Sequence, residues 1–165
     1  MNAFALFGFD PALELDETDL KSRFEHLRTQ FHPDRFSHGS ALERRLAVQR
    51  AADINAAYAT LSNSLTRAKL YFELRGVLLD EARSMHDAAF LMQQMELREA
   101  LDDARDTAAR QTLRHQVGLL WDQVWESLQV AAALVALESE NVAFIQRDLQ
   151  RLQFLQRFLE QMDNP

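Results

Sequence analysis

The segment Leu20–Leu61, LKSRFEHLRTQFHPDRFSHGSALERRLAVQRAADINAAYATL, decides the fold of the N-terminal part of the chain. Its first half has apolar residues at the spacing of one helical face, and proline at position 33 must end that helix because it lacks an N–H. After a short polar loop, residues 33–39, Ser40 and Glu43 form a capping box that starts a second helix. Two helices joined by so short a loop predict an antiparallel helical hairpin. The apolar stripe of the first helix consists of Leu20, Phe24, Leu27 and Phe31.

Helical patterns also cover the rest of the chain. A short helix at 3–7 precedes the hairpin, and a fourth helix covers 65–75. Three longer patterns follow at 88–105, 107–136 and 141–162, and no segment has the alternation of a strand. We therefore predict an all-α protein, with a helical hairpin unit followed by a three-helix bundle.

The apolar positions predict where the helices are buried. The second helix of the hairpin should bury Leu42, Leu46, Ile54, Tyr58 and Leu61. The last two long helices should bury the stripes Leu113, Val117, Leu120, Val124 and Leu128, and Val142, Ile145, Leu149, Leu152 and Leu159. Two separate cores predict two domains, 1–75 and 87–165, with residues 76–86 as a connection that packs down through its leucines and Val77.

Composition excludes several classes of function. The chain contains no cysteine, so it has neither disulfides nor thiolate ligands for zinc or an iron–sulfur cluster. The net charge is −7, and all of the excess lies after Arg75, which argues against nucleic-acid binding by the second half. The N-terminus resembles neither a secretory signal nor a transit peptide, and no apolar run has membrane-spanning length, so we expect a protein of the bacterial cytoplasm.

The tripeptide His32-Pro33-Asp34 stands at the sharp break between the two hairpin helices. Proline would fix the turn, so that the imidazole and the carboxylate project from a rigid loop. A catalytic role is the weaker interpretation, because no activated nucleophile accompanies the pair. A metal site formed with His38 is also weakly supported, since three possible ligands in one flexible loop are common by chance.

The helix at 88–105 has two distinct faces. Phe90, Leu97, Leu101 and Ala104 gather in a narrow sector that suffices for a core. The opposite side combines apolar residues with acids, which predicts a docking surface, since unpaired buried carboxylates are costly. The alternative is a central helix that is buried all round. Phe154 lies off the apolar stripe of the last helix and projects in the same way, unless a wider core includes it together with Phe158.

The order of elements in the first half resembles the J-domain family. The resemblance is carried by Phe4-Ala-Leu-Phe-Gly8, Leu20-Lys-Ser-Arg-Phe24, Phe31-His-Pro-Asp-Arg35 and Ala56-Ala-Tyr-Ala-Thr-Leu61. In that family the tripeptide stimulates ATP hydrolysis by a DnaK-type chaperone, which implies this role for His32, Pro33 and Asp34. Positive charge for an acidic chaperone surface would come from Lys21, Arg23, Arg28 and Arg35.

Residues 90–103, FLMQQMELREALDD, are similar to the signature of the HscB family of J-type co-chaperones in bacterial iron–sulfur cluster assembly. The resemblance implies a specialised chaperone, HscA, and the cluster scaffold IscU as partners, and it implies no catalytic activity and no cofactor. Met95 stands where the family usually has leucine, and Asp103 where it has glutamate. The zinc-binding extension of mitochondrial relatives is absent, so no metal site is implied. The implied scaffold-binding residues are Leu91, Met92, Met95, Glu96, Glu99, Asp103 and Phe154.

Two other classes compete with this interpretation. A general J-protein that holds unfolded clients would carry a Gly/Phe-rich linker or a cysteine zinc module, and this chain has neither. A purely structural helical adaptor would leave the His-Pro-Asp loop without a purpose.

Overall fold

The computed structural model describes residues 1–79 and 87–164, and within these ranges all regular secondary structure is helical. This confirms the predicted all-α class. No helix of the described part is long and apolar enough to cross a bilayer. The α-helices are α1 Ala3–Leu6, α2 Glu17–Gln30, α3 Ala41–Ser62, α4 Ser64–Leu74, α5 Ala88–Asp103, α6 Thr107–Ala132 and α7 Ser139–Asp163.

The chain divides into two compact units, Met1–Tyr71 and Phe72–Pro165. In the first unit α2 and α3 form the expected hairpin, and α1 packs against α3. Phe24 of α2 stacks on Tyr58 of α3 with ring centroids 4.0 Å apart. The core of this unit contains the buried residues Phe4, Phe7, Leu20, Ile54, Ala57 and Leu61.

Two leucines predicted to be buried in α3 are exposed instead. Leu42 is 61% and Leu46 60% solvent-accessible, whereas Ala47 and Ile54 are buried. At 100° per residue, Leu42 and Leu46 lie roughly 120° and 80° away from Ile54 around the helix axis. The buried side of α3 therefore begins at Ala47 and continues through Ile54. The prediction that Leu42 and Leu46 are buried is wrong.

Buried Arg67 of α4 anchors the first unit in a way that the apolar pattern did not predict. Its Nε donates to the carbonyl oxygen of Leu13 and its Nη1 to that of Leu61, each at 2.7 Å. Burial lowers the pKa of this guanidinium, although nearby Glu14 and Glu17 oppose the shift. The two hydrogen bonds tie the segment before α2 and the last turn of α3 to α4.

The second unit buries apolar residues from α5, α6 and α7 in one core. Helix α6 ends at Ala132 and not at Ala136 as predicted, and Arg75 contacts this end. Its guanidinium donates to the carbonyl oxygens of Ala132 at 3.1 Å and Leu134 at 2.6 Å, which satisfies groups at the end of the helix. The core residues of this unit include Leu97, Ala104, Leu113, Val117, Leu155, Phe158 and Met162.

The chain divides into its two compact units between Tyr71 and Phe72. The predicted domain boundary at Arg75 stays a prediction. Arg75 belongs to the second unit, and its side chain contacts the end of α6. In the predicted connection, Val77 is buried as expected, but the side chain of Leu78 is 68% exposed, so the expectation that the leucines pack down is wrong for Leu78. The backbone of Leu78 is held instead, because Gln146 donates from Nε2 to its carbonyl oxygen at 2.7 Å. The remainder of that connection, residues 80–86, lies outside the described part of the chain.

Candidate functional site

The His-Pro-Asp segment forms a single 3-10 turn, Pro33–Phe36, where we expected only a loop. Proline fits the first position of such a turn because its fixed φ is already helical and no N–H is required there. His32 is the N-cap: its Nδ1 accepts from the backbone N–H of Asp34 at 3.2 Å. Arg35 N donates back to the carbonyl oxygen of His32 at 3.0 Å. The three residues are therefore fixed by local hydrogen bonds.

Both polar side chains of this turn face solvent. The side chain of Asp34 is 93% accessible and that of His32 52%, and His32 Nδ1 lies 3.6 Å from Asp34 Oδ2. Because Nδ1 accepts a hydrogen bond, the neutral imidazole carries its proton on Nε2, which is then a donor. The turn thus offers a carboxylate acceptor and an imidazole donor next to each other, as a recognition element requires.

The predicted basic residues differ in their availability. Lys21 and Arg35 are exposed. Arg28 is exposed too, but it pairs with Glu25 at 2.7 Å. Arg23 has intramolecular partners: it donates to the carbonyl oxygens of Phe7 and Gly8 at 2.9 and 3.0 Å and pairs with Asp19 at 3.0 Å. Its local bonds hold α1 to α2, and its contact with a chaperone stays a prediction.

The outer face of α5 exposes three large apolar side chains within two turns. Leu91 is 50%, Met92 61% and Met95 68% accessible, whereas Phe90 and Leu97 on the other side are buried. The alternative of a helix buried all round is therefore wrong. Glu96, Glu99 and Asp103 are exposed beside these residues and give the surface an acidic rim. An apolar patch with a charged rim is typical of an interaction site.

Phe154 of α7 is partly buried and does not project freely. Its ring meets Phe90 edge-on at 5.7 Å and lies 6.0 Å from the ring of buried Phe158. The wider core that we considered for the last helix therefore includes Phe158 fully and Phe154 in part. Arg98 of α5 places its guanidinium carbon 5.7 Å from the Phe154 ring, a contact that the sequence analysis missed.

Asp87, just before α5, is a further residue that we did not single out. One carboxylate oxygen accepts from the N–H groups of Ala89 and Phe90 at 3.1 and 3.2 Å, and the other accepts from Arg151 at 3.0 Å. The hydrogen bond from Phe90 and the pairing with Arg151 hold the pKa of Asp87 below its usual range, despite opposing desolvation. Aspartate is a preferred N-cap residue, so its position directly before the helical pattern of α5 was enough to predict a cap at Asp87.

The His-Pro-Asp turn and the outer face of α5 both expose the polar and apolar side chains that are typical of binding surfaces. In residues 1–79 and 87–164, no three side chains of His, Asp or Glu converge as metal ligands. An exposed polar turn on one compact unit and an apolar, acid-rimmed helix face on the other define a J-domain protein with a helical bundle attached. This is the class of the J-type co-chaperones.

Comparison with known proteins identifies the family. Residues 86–163 match the family model described as the HSCB C-terminal oligomerisation domain. The chain is 37% identical to a co-chaperone protein HscB homolog of Aeromonas salmonicida, over 99% of this chain and 95% of that protein. It is 32% identical to the co-chaperone protein HscB of Proteus mirabilis, over 99% and 95% of the two chains. The chain belongs to the HscB family of co-chaperones.

Solved structures agree with this assignment. The chaperone HscB from Vibrio cholerae has 35% sequence identity and superposes with a TM-score of 0.83, covering 99% of this chain and 96% of that one. Human co-chaperone HscB has the same fold, with a TM-score of 0.84 at 23% identity, covering 99% of this chain and 81% of the human one.

Proposed function

We propose that this co-chaperone stimulates the ATPase of the DnaK-type chaperone HscA and delivers the iron–sulfur scaffold IscU to it. The observation that carries the proposal is the presence of two exposed recognition surfaces on two compact units of one chain. The chaperone surface is the turn His32-Pro33-Asp34 with nearby bases, and the scaffold surface is the outer face of α5.

The proposed chaperone contact uses charge and hydrogen bonds. Asp34 accepts from an arginine of the ATPase domain, a charge-assisted bond that favours the guanidinium over a lysine ammonium. His32 donates from Nε2, and the 3-10 turn keeps both groups oriented before binding, which reduces the entropy cost of association. Lys21 and Arg28 lie seven residues apart, on one face of α2, and extend the positive surface.

The proposed scaffold contact is mainly apolar. Leu91, Met92 and Met95 lose solvent contact on binding, and flexible methionine side chains adapt to the partner surface. Glu96, Glu99 and Asp103 surround this centre and select for a basic rim on the scaffold. Phe154 contributes the exposed part of its ring.

In this mechanism the chain performs no covalent chemistry. It binds the scaffold on one unit and favours the ATP-hydrolysing state of the chaperone with the other, so that client arrival and hydrolysis coincide. A binding protein shifts such an equilibrium only by its differential affinity for the two states of the partner. The proposed role is therefore that of a non-enzymatic adaptor without cofactor, acting in the maturation of iron–sulfur proteins.

A steady-state ATPase assay tests the proposal. HscA turnover is measured with this chain alone, with IscU alone and with both together. We expect the pair to stimulate more than the sum of the separate effects. An unfolded model protein in place of IscU is the matched control. Equal enhancement by that control, or no enhancement by IscU, contradicts the proposed delivery role.

A further inference from the structure

The beginning of α5 is fixed to α7 by one shared carboxylate. Asp87 uses Oδ1 to cap the helix, accepting from the N–H groups of Ala89 and Phe90. Its Oδ2 accepts from Arg151 Nη2 at 3.0 Å. The same side chain therefore starts α5 and connects that start to α7.

Arg151 also contacts the first buried ring of α5. Its guanidinium carbon lies 5.6 Å from the centroid of Phe90, and Phe154, three residues further along α7, meets the same ring edge-on. Residues three apart lie on one face of a helix, so this face of α7 holds Phe90 by two contacts. Together with the ion pair, these contacts fix the first turn of α5 both along and around its axis.

The ion pair is protected from solvent. Arg151 is 26% and Asp87 21% accessible at the side chain, whereas Arg114 and Asp163, the pair that connects α6 to α7, are 47% and 58% accessible. Screening by water and salt is weaker for a partly buried pair, so the pair of Arg151 with Asp87 loses less of its attraction to solvent than the pair of Arg114 with Asp163.

The same part of α7 is also fixed to α6. Asp148, three residues before Arg151, is buried and its Oδ2 accepts from Ser127 Oγ at 2.8 Å. The segment 148–151 therefore joins α6 and the start of α5 through directional polar contacts. Such contacts select one register between helices, which apolar packing alone specifies less strictly.

The apolar centre of the scaffold surface follows directly on this anchor. Leu91 comes immediately after Phe90 and its N–H donates to the carbonyl oxygen of Asp87 at 3.0 Å. Met92 and Met95 lie within the next turn. We infer that Arg151 is a positioning residue for scaffold binding: it holds the start of α5 so that Leu91, Met92 and Met95 are presented in one fixed arrangement. This inference rests on the proposed function.

The test uses the full chain and calorimetric titration with IscU. We expect Arg151→Met to weaken binding about tenfold, because lost preorganisation raises the cost of association. Arg151→Lys keeps a cation near Asp87 and should recover part of that loss. Arg114→Met on α6, which removes the exposed ion pair with Asp163 of α7, is the matched control and should change the affinity less than twofold.

A second variant separates positioning from general destabilisation. Asp87→Asn retains a capping oxygen but replaces the oxygen that accepts from Arg151 by an amide donor, so both the charge and the hydrogen bond to Arg151 are lost. We expect it to weaken binding by a similar factor, and we expect the double variant with Arg151→Met to be no weaker than either single variant. Hydrogen exchange of the amides in residues 88–92 should become faster in the free protein while α6 is unchanged. Unaltered affinity in a folded Asp87→Asn protein overturns the inference.

A combined variant tests whether Arg151 acts through Leu91, Met92 and Met95. In a protein already carrying Leu91→Ala, Met92→Ala and Met95→Ala, adding Arg151→Met should cost less than a further twofold, since no apolar centre is left to position. A full tenfold additional loss shows that Arg151 acts independently of these residues and overturns the inference. If the triple alanine protein itself binds IscU as tightly as the native chain, the proposed scaffold surface on α5 is contradicted, and the inference about Arg151 is overturned with it.

Discussion

The ring of Phe154 meets the ring of Phe90 edge-on, at a centroid distance of 5.7 Å and an interplanar angle of 87°. This contact joins α7 to α5 directly beneath the apolar face of α5. Phe154 is therefore part core and part surface, and truncating it would combine a loss of stability with a loss of binding. Leu91, Met92 and Met95 have no such double role because they are at least half exposed.

We expect the triple change Leu91→Ala, Met92→Ala and Met95→Ala to weaken IscU binding by roughly 2–4 kcal/mol, from lost apolar burial concentrated in a few residues. The free energy of unfolding should hardly change, since no cavity opens and alanine favours helix. Calorimetric titration and a thermal melt measure the two effects. Leu97→Ala on the buried side is the control and should cost about 2–5 kcal/mol of stability. A triple variant with strongly reduced melting temperature and native affinity would mean that this face is core.

Charge reversal at Glu96 and Glu99 should act mainly on the rate of association. Exposed rim charges steer the encounter and are screened by salt. Stopped-flow measurements should therefore show a lower association rate at low salt and a flatter dependence on salt, with a smaller change in dissociation. Reversal of both Asp122 and Glu126, two exposed acids of α6, changes the net charge by the same amount and is the control. Equal effects of this pair would indicate a response to net charge alone.

The change His32→Gln should abolish stimulation of the HscA ATPase without unfolding the protein, because the imidazole is solvent-exposed and packs in no core. Asp34→Asn should behave alike, since it removes the charge that an arginine recognises. Steady-state turnover measures the loss, and circular dichroism checks the fold. His38→Gln, at an exposed histidine of the same segment, should stimulate normally. Undiminished stimulation by a folded His32→Gln protein would contradict the J-domain role.

A fragment ending at Arg75 should remain helical and stimulate the ATPase weakly. It contains the whole first compact unit, Met1–Tyr71, with its own apolar core and the Arg67 anchor. The enhancement that depends on IscU should be lost because α5 is missing. Circular dichroism and the same ATPase assay test both statements. An unfolded fragment would show that the unit needs the rest of the chain for its stability.

Asp148 should make the second unit less stable as pH rises. Burial raises the pKa of this carboxyl, although Ser127, Arg147 and Arg151 oppose the shift. With a folded pKa above the unfolded one, the residue costs no stability below the unfolded pKa and becomes destabilising as pH rises through the folded pKa. Asp148→Asn, which can still accept from Ser127, should raise the melting temperature at pH 7 relative to the native chain and bring no gain at pH 3.

The corresponding control is Asp148→Ala, which leaves the Ser127 hydroxyl without its acceptor and opens a small void. It should lower stability by about 1 kcal/mol at pH 3 and by less at pH 7, where removal of the buried charge offsets part of that loss. If Asp148→Asn gives the same melting-temperature difference at pH 3 and pH 7, ionisation of Asp148 does not control the stability of the unit.

The sequence by itself determined the positions of the helices to within a few residues and some of their caps. These features depend on local chemistry: the proline at position 33, the cap at Ser40, and the periodic separation of Leu97 from Met95 on α5. The hairpin and the bundle followed because each helix had one apolar stripe to bury. The boundary near Arg75 stays a prediction.

Only the tertiary structure decided which polar groups connect the helices. Arg67 with Leu13, Arg75 with Ala132 and Arg151 with Asp87 are pairs separated by more than fifty residues, and nothing in their local sequence links them. The exposure of Leu42 and Leu46 has the same origin, because the burial of a helical position depends on which element packs there. Helical periodicity defines faces, and only packing decides which face is covered and which remains available to a partner.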